Sequence, residues 1–468
     1  MHRKALDYLK DNWISSADRK PLIIRGARQV GKTWLVRKLA TLCNKSLIEI
    51  NFEKDPQAYT LFTSNDPQQI LRNLSAFLNQ TIDIPNCLLF LDEVQVVPDI
   101  LAKLRWFYEN CPELAVISAG SLLDFVLEDH TFSMPVGRVS YLHLEPLSFE
   151  EFLLARGQER LYDYLQNFQI EEVIPDAIHA QFSSFFKEYI LVGGMPAVVI
   201  NWVKEQSIPR THQIQNDLLS TYRDDFAKYG GRISINTLDE IMMSIPKRLG
   251  QKYVYSKVNP SLNSQTVKQV LSLLNKARIC HRISGSSAGG IPLSSELKEK
   301  YFKEIFLDTG LSSVALGLNY IDIQSINELN LINNGAISEQ VVGQILRTIF
   351  PFYVEPALYY WQRDVSGSNA EIDYVIQHGN QVIPIEVKSG STGSLKSLHL
   401  FMEIKKKDLA VRINSESPSI TNVEVIGSQK QTVAYTLLSL PFYLMEQIHR
   451  LLNLSKSPNH GTSPPVPM

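Results

Sequence analysis

The sequence predicts an α/β protein organised on a parallel sheet whose strand ends hold phosphate, with a helical middle region and a second α/β unit behind it. Three observations predict the sheet. The apolar run Leu22-Ile23-Ile24-Arg25 enters Gly26-Ala27-Arg28-Gln29-Val30-Gly31-Lys32-Thr33, and a helix through Leu35 and Leu39 follows. Its spacing, G-x-x-x-x-G-K-[ST], is that of a phosphate-binding loop. The run Cys87-Leu88-Leu89-Phe90-Leu91 ends in Asp92-Glu93, and Ala115-Val116-Ile117-Ser118-Ala119 ends in the small residues Gly120 and Ser121. Short apolar runs of this kind suit strands buried on both faces.

Chemistry explains the residue types of the loop. Gly26 and Gly31 admit backbone conformations and close approach that a Cβ would hinder. The amide groups between them, with the helix N-terminus, form a cradle for anionic oxygens. The expected nucleotide-binding set is Gly26, Ala27, Arg28, Gln29, Val30, Gly31, Lys32, Thr33 and Trp34, with ATP and Mg²⁺ as cofactors. Lys32 would reach the β- and γ-phosphates, and the Thr33 hydroxyl would hold Mg²⁺. Asp92 would anchor the same ion and Glu93 would polarise the attacking water, which makes Glu93 the catalytic base. The plain alternative is an acidic pair capping the next helix. Ser118 or Ser121 would sense the γ-phosphate, and the sequence does not choose between them. Arg138 is read either as a sensor or finger for transition-state charge, or as a structural surface arginine.

Bulk composition narrows the rest. The chain has 468 residues, 44% hydrophobic and 20% charged, with a net charge of −2, so no global basic field marks a nucleic-acid binder. Cys43, Cys87, Cys111 and Cys280 lack metal-ligand spacing, and their scatter suits a reducing compartment. No apolar run reaches the roughly 18 residues of a membrane span. The N-terminal MHRKALDYLKDNW reads as an amphipathic helix, so a cytoplasmic location and no membrane partner are expected.

Along the chain, 47–52 alternates as a strand and 67–80 has helical spacing. Ser148 with Glu151 forms a capping box. Residues 150–250 read as mainly helical, broken at Gly193-Gly194-Met195-Pro196, which is either a coupling turn near the nucleotide or an interhelix turn. Arg223-Asp224-Asp225 reads as a solvated face. Ser264 would cap a helix carrying Val267, Val270, Leu271 and Leu274, and the strand 279–283 and a Gly/Ser turn follow. Helix, strand and turn suggest a winged helix, but Lys268, Lys276 and Arg278 make a thin basic footprint for DNA, so a structural lid or protein-contact module is an equal alternative. Expected boundaries are 1–155, 156–290 and 291–452, with a disordered Ser/Pro-rich tail at 453–468.

The segments RGARQVGKT, LDEVQVVPDILAKLRWFYE, SAGSLL and GRVSYLHLEPLSFEEF resemble a bacterial and archaeal family with an AAA-type ATPase domain followed by a C-terminal domain of unknown function. YILVGGMPAVV, FLDTGL and AISEQVV are similar to later segments of that family. The resemblance implies an AAA+-type P-loop NTPase sheet with an additional strand, related to nucleotide-dependent switch ATPases. The C-terminal region also resembles PD-(D/E)xK nucleases, which implies a restriction-endonuclease-like α/β unit. There Asp373 and Glu386 would share Mg²⁺, Glu339 from the preceding helix would complete the metal shell, Lys388 would stabilise or activate the attacking water, and Glu371 shares a strand face with Asp373. The alternative is a salt-bridge cluster of little energetic weight. The expected function is ATP hydrolysis with Mg²⁺ that rearranges the winged-helix and nuclease-like parts, acting on DNA. Its rival is a nucleotide-dependent switch that binds a regulatory protein, with little hydrolysis and an inactive nuclease-like unit. Oligomeric state stays open.

Overall fold

In the computed structural model, residues 1–120, 123, 134–229, 233–317, 335–365, 369–390, 394–428 and 430–454 are described. Five strands form the first sheet: β1 (Leu22–Arg25), β2 (Ser46–Asn51), β3 (Cys87–Asp92), β4 (Ala115–Ala119) and β5 (Ser140–His143). Their order is β2-β3-β4-β1-β5, and every pair is parallel. β3 and β4 are buried at every residue, as their unbroken apolar runs require, while the edge strand β2 alternates. The helix Lys32–Leu42 packs Leu35, Val36 and Leu39 on one face of the sheet. The helices Pro67–Leu78 and Asp99–Asn110 cover the other face. β4 lies between β1 and β3, so the phosphate loop and Asp92 emerge one strand apart from the same C-terminal edge.

The N-terminal helix Lys4–Tyr8 continues as a π-helical turn, Leu9–Ile14, and buries Ala5, Leu6, Leu9 and Trp13. The middle region is helical. Phe149–Ala155 starts with the capping box, in which Glu151 N–H donates to Ser148 Oγ and Ser148 N–H to Glu151 Oε2. Asp176–Val192, Pro196–Glu205, Ile208–Tyr229 and Ile235–Ser244 follow. The helix Ser264–Lys276 buries the four predicted apolar residues, but its cap is Asn263, whose side chain accepts from Gln265 N–H at 2.9 Å. Ser264 is already inside the first turn.

The second sheet has eight strands: β6 (Cys280–Ser286), β7 (Leu297–Phe306), β8 (Leu358–Gln362), β9 (Glu371–His378), β10 (Gln381–Val387), β11 (Leu409–Asn414), β12 (Ser419–Ile426) and β13 (Thr432–Pro441). Their order is β12-β13-β11-β10-β9-β8-β6-β7, with parallel and antiparallel pairs mixed. The β6–β7 hairpin after the helix Ser264–Lys276 is therefore an edge of this sheet, through parallel pairing of β6 with β8. The position near 290 falls in the turn of that hairpin. Among the described residues, no helix is long and apolar enough to cross a membrane.

The N-terminal helix meets the segment that follows β13. Lys4 Nζ lies 2.5 Å from Glu150 Oε2 and 2.7 Å from Glu446 Oε2, and Glu150 N–H donates to Glu446 Oε1. Gln447 and Gln166 donate to the remaining Glu150 lone pairs. Burial pushes the Glu446 carboxyl up to about 7, against the pull of Lys4. Removing one partner of a buried charge network leaves uncompensated charge. Lys4→Met is therefore expected to cost about 3–5 kcal/mol, read as a lower thermal midpoint, with much of it recovered by Lys4→Met/Glu446→Gln. An unchanged midpoint in Lys4→Met would show that the network carries no stability.

Candidate functional site

The phosphate loop begins where β1 ends. Gly31 has φ 97°, and a Cβ on Gly26 would meet Leu144 O at 2.5 Å, so both positions need glycine. Lys32 Nζ turns onto the loop's own carbonyls, donating to Gly26 O at 3.0 Å and Ala27 O at 2.9 Å. Burial pushes Lys32 down to about 8; Glu93 and Asp92 oppose this, and Arg278 and Arg28 add to it. Thr33 Oγ1 donates to Asp92 Oδ2 at 3.0 Å, which joins the loop to β3. Burial and the charge of Glu93 raise the Asp92 carboxyl, against the Thr33 hydrogen bond. Hydroxyl and carboxylate oxygens side by side are the hard donors Mg²⁺ takes, so Thr33 and Asp92 fit that ion.

Glu93 follows Asp92 in the left-handed region, with φ 54°. Gln95 Nε2 donates to Glu93 Oε2 at 2.6 Å, and its amide lies where any Cβ on Gly120 would collide. Gln95 thus fixes Glu93 against the end of β4. The sequence reading missed it, although its place two residues after the acidic pair was visible. Asn51, at the end of β2, reaches Asp92 Oδ2 at 3.5 Å.

Two sensor expectations change. Ser118 aligns with Ile23 and Leu91, which pack in the cluster on the far face of the sheet from Thr33 and Asp92. Its hydroxyl is buried there and cannot face a γ-phosphate held by Thr33. Ser121 lies outside the described residues. Arg138 precedes β5, whose Ser140 aligns with Leu22 at the start of β1, and it pairs with Glu109 at 2.9 Å. That is the opposite end of the sheet from the phosphate loop, so Arg138 does not belong to this chain's own phosphate site.

Other segments do reach the loop. Arg28 pairs with Asp225 at 2.6 Å, and Tyr222 OH donates to Arg28 O at 2.9 Å, both from the helix Ile208–Tyr229. Asp225 is thus no solvated residue. Arg3 donates to Val30 O at 3.1 Å and to Glu145 O at 2.7 Å. A Cβ placed on Gly31 would touch the Pro196 ring at 3.6 Å, so the Gly193–Pro196 turn stands over the loop. Asp308 holds that turn: it accepts from Gly194 N–H at 2.6 Å, from Leu311 N–H at 3.1 Å and from Gln344 Nε2 at 3.2 Å. Burial pushes its carboxyl up to about 6. Arg278 is 4% exposed in the turn between the helix Ser264–Lys276 and β6, and pairs with Glu355 at 2.8 Å. Facing inward, it adds nothing to a basic surface for DNA.

The C-terminal acidic residues also meet. Asp373 on β9 and Glu386 on β10 lie on adjacent strands, and Asp373 Oδ2 accepts from Val387 N–H at 2.8 Å. Lys388 Nζ is 2.6 Å from Glu386 Oε1. Glu339 comes from the helix Gly335–Thr348. A residue the sequence did not point to stands among them: Lys303 of β7, 1% exposed, lies 3.0 Å from Glu339 and 2.5 Å from Glu371. Burial opposes the Lys303 charge, but Glu339, Glu371 and Asp373 hold its pKa above the ordinary value. Burial, then Glu339 and Glu386, push Asp373 well up. Among the described residues, no three His, Cys, Asp or Glu side chains are grouped to hold a metal. As arranged, this cluster does not fit the metal that its nuclease resemblance implies.

The phosphate site has a pH signature. With Lys32 down at about 8, the free loop sheds that proton above this pH, whereas bound phosphate would restore it. Nucleotide binding is therefore expected to take up a proton above pH 8, with affinity falling by up to about tenfold per pH unit. Calorimetry at pH 7 and pH 9, in buffers of different protonation heat, measures this; equal proton counts at both would show Lys32 fully charged throughout.

Residues 18–153 match the AAA domain family. Residues 183–322 and 334–435 match two domains of unknown function, DUF8612 and DUF4143. No curated protein matches. Among solved structures, the Walker-type ATPase paby2304 of Pyrococcus abyssi is 15% identical, covering 66% of this chain and 93% of that one, with a TM-score of 0.40. The ORC2 protein of Aeropyrum pernix is 14% identical, covering 70% and 94%, at 0.32. The Drosophila ORC bound to DNA is 11% identical, covering 67% and 94%, at 0.25. The sequence match and the loop geometry together identify an AAA-type P-loop ATPase domain in the first part of the chain.

Proposed function

We propose that the protein is a Mg²⁺-dependent ATPase whose nucleotide state sets the arrangement of the middle and C-terminal regions. One observation carries this reading: the phosphate loop is gripped by residues from outside its own sheet, with Arg28 bound to both Asp225 and Tyr222. A loop whose backbone must follow its phosphates would transmit that movement to the helix Ile208–Tyr229 and, through Pro196 and Gly194, to Asp308.

In the reaction, Lys32 would leave the Gly26 and Ala27 carbonyls for the β- and γ-phosphate oxygens. Thr33 and Asp92 would hold Mg²⁺, which supplies charge neutralisation when bound. Glu93, steadied by Gln95, would orient and deprotonate the attacking water. A second reading is supported by Lys303: an acidic cluster already paired with a buried ammonium suits a switch with an inactive nuclease-like unit. DNA and a regulatory protein remain the candidate partners of either form.

Glu93→Gln is expected to bind ATP normally and to lose about 10²–10⁴-fold in turnover, while Lys32→Ala loses nucleotide binding. Parent-level turnover in Glu93→Gln would remove Glu93 as the base. Hydrogen exchange in the helix Ile208–Tyr229 should differ between the ATP-loaded Glu93→Gln protein and the ADP-loaded parent. Asp225→Ala/Tyr222→Phe should abolish the difference. Identical exchange in the two states would overturn the switch. Steady-state turnover with added duplex and single-stranded DNA reads the DNA arm, and unchanged turnover with both would count against action on DNA.

A further inference from the structure

The acidic cluster of the second sheet contains two features that a simple salt bridge does not explain. Glu386 is 5% exposed, and its Oε2 has no hydrogen-bond partner, while Oε1 is taken by Lys388. Lys303 arrives from a different strand and takes the Glu339 and Glu371 oxygens. Arg412, aligned with Glu386 on β11, spends its Nε on Ser439 and leaves Glu386 Oε2 unsatisfied.

Lys303 is held where it stands. Its strand is registered to β6 by the Ile283–Lys303 pair, and its neighbour Phe302 stacks on Tyr253, whose N–H donates to Phe302 O. Its ammonium also lies 5.4 Å from the centre of the Tyr360 ring. A divalent hard cation needs several carboxylate oxygens at about 2.0–2.6 Å. A fixed ammonium paired with Glu339 and Glu371 takes lone pairs on Glu339 and, by its charge, repels a cation approaching the neighbouring Asp373 and Glu386.

We propose that Lys303 is the resident cation of this cluster, standing in the place of a divalent metal ion and keeping Glu339, Asp373 and Glu386 from binding one. The carboxylates are hard donors, and β7 supplies their counter-charge in protein form. The same strand leads into Asp308, which holds the turn over the phosphate loop. The inference goes beyond ATP turnover and is read in nucleotide-free protein.

The test titrates Mn²⁺ alone into the full-length chain by calorimetry, with manganese electron paramagnetic resonance as a second readout. Lys303→Met is expected to gain one Mn²⁺ equivalent, at least tenfold tighter than any binding by the parent at this cluster. The gain should vanish in Lys303→Met/Glu386→Gln and be absent in Lys303→Arg. In the parent background, Glu386→Gln is expected to leave Mn²⁺ binding unchanged, a result that does not depend on whether the Lys303 variants fold. The proposal is overturned if Glu386→Gln alone removes Mn²⁺ from the parent, or if a folded Lys303→Met binds no additional ion.

Discussion

The carboxylate of Asp308 joins the three parts of the chain. It caps its own helix through Leu311 N–H, binds Gly194 N–H of the turn over the phosphate loop, and meets Gln344 of the helix that also carries Glu339. Gln344 in turn reaches Tyr189, whose hydroxyl donates to Leu147 O beside the first sheet. Charge-assisted hydrogen bonds to a buried acceptor are stronger than neutral ones, and losing one leaves a desolvated charge. The segments YILVGGMP and FLDTGL lie far apart in the chain and meet at this carboxylate, while Gln340 of AISEQVV joins them by exchanging hydrogen bonds with the Phe306 backbone.

Two buried lysines show the same physics in different settings. Lys32 is packed on backbone carbonyls, with carboxylates at some remove, and burial lowers its pKa. Lys303 is packed on two carboxylates, which outweigh burial and hold its charge. A cation without a strong counter-charge is ready to accept an anionic ligand, whereas one already paired closes its site to another cation. The first arrangement suits a site that takes up phosphate, and the second suits one that is shut.

The nucleotide site is also divided between regions. Thr33, Asp92, Glu93 and Gln95 come from the parallel sheet and its loops, while Arg3, Tyr222, Asp225 and Arg278 come from elements before and after it. Coupling between such regions needs an element whose equilibrium both sides bias. The loop backbone is held from both sides, at Val30 O by Arg3 and at Arg28 O by Tyr222.

Local residue pattern was enough for the phosphate loop, the strand ending in Asp92-Glu93, the capping box at Ser148 and the apolar face of the helix Ser264–Lys276. Each depends on neighbours within a few positions, where backbone geometry and side-chain spacing leave few options. Local pattern could not show that Ser118 faces the far side of its sheet, because that is set by register with Ile23 and Leu91, nor that Arg138 sits at the wrong end, because that is set by the direction of β5 beside β1. Asp225 and Arg278 looked like ordinary surface charges in the sequence and nothing marked Lys303, since a charge carries no periodic signal of its partner. Only the packing of distant elements buried Arg278 and Lys303 and gave Asp225 its partner Arg28, and burial in low dielectric is what turns a common charged residue into part of a site.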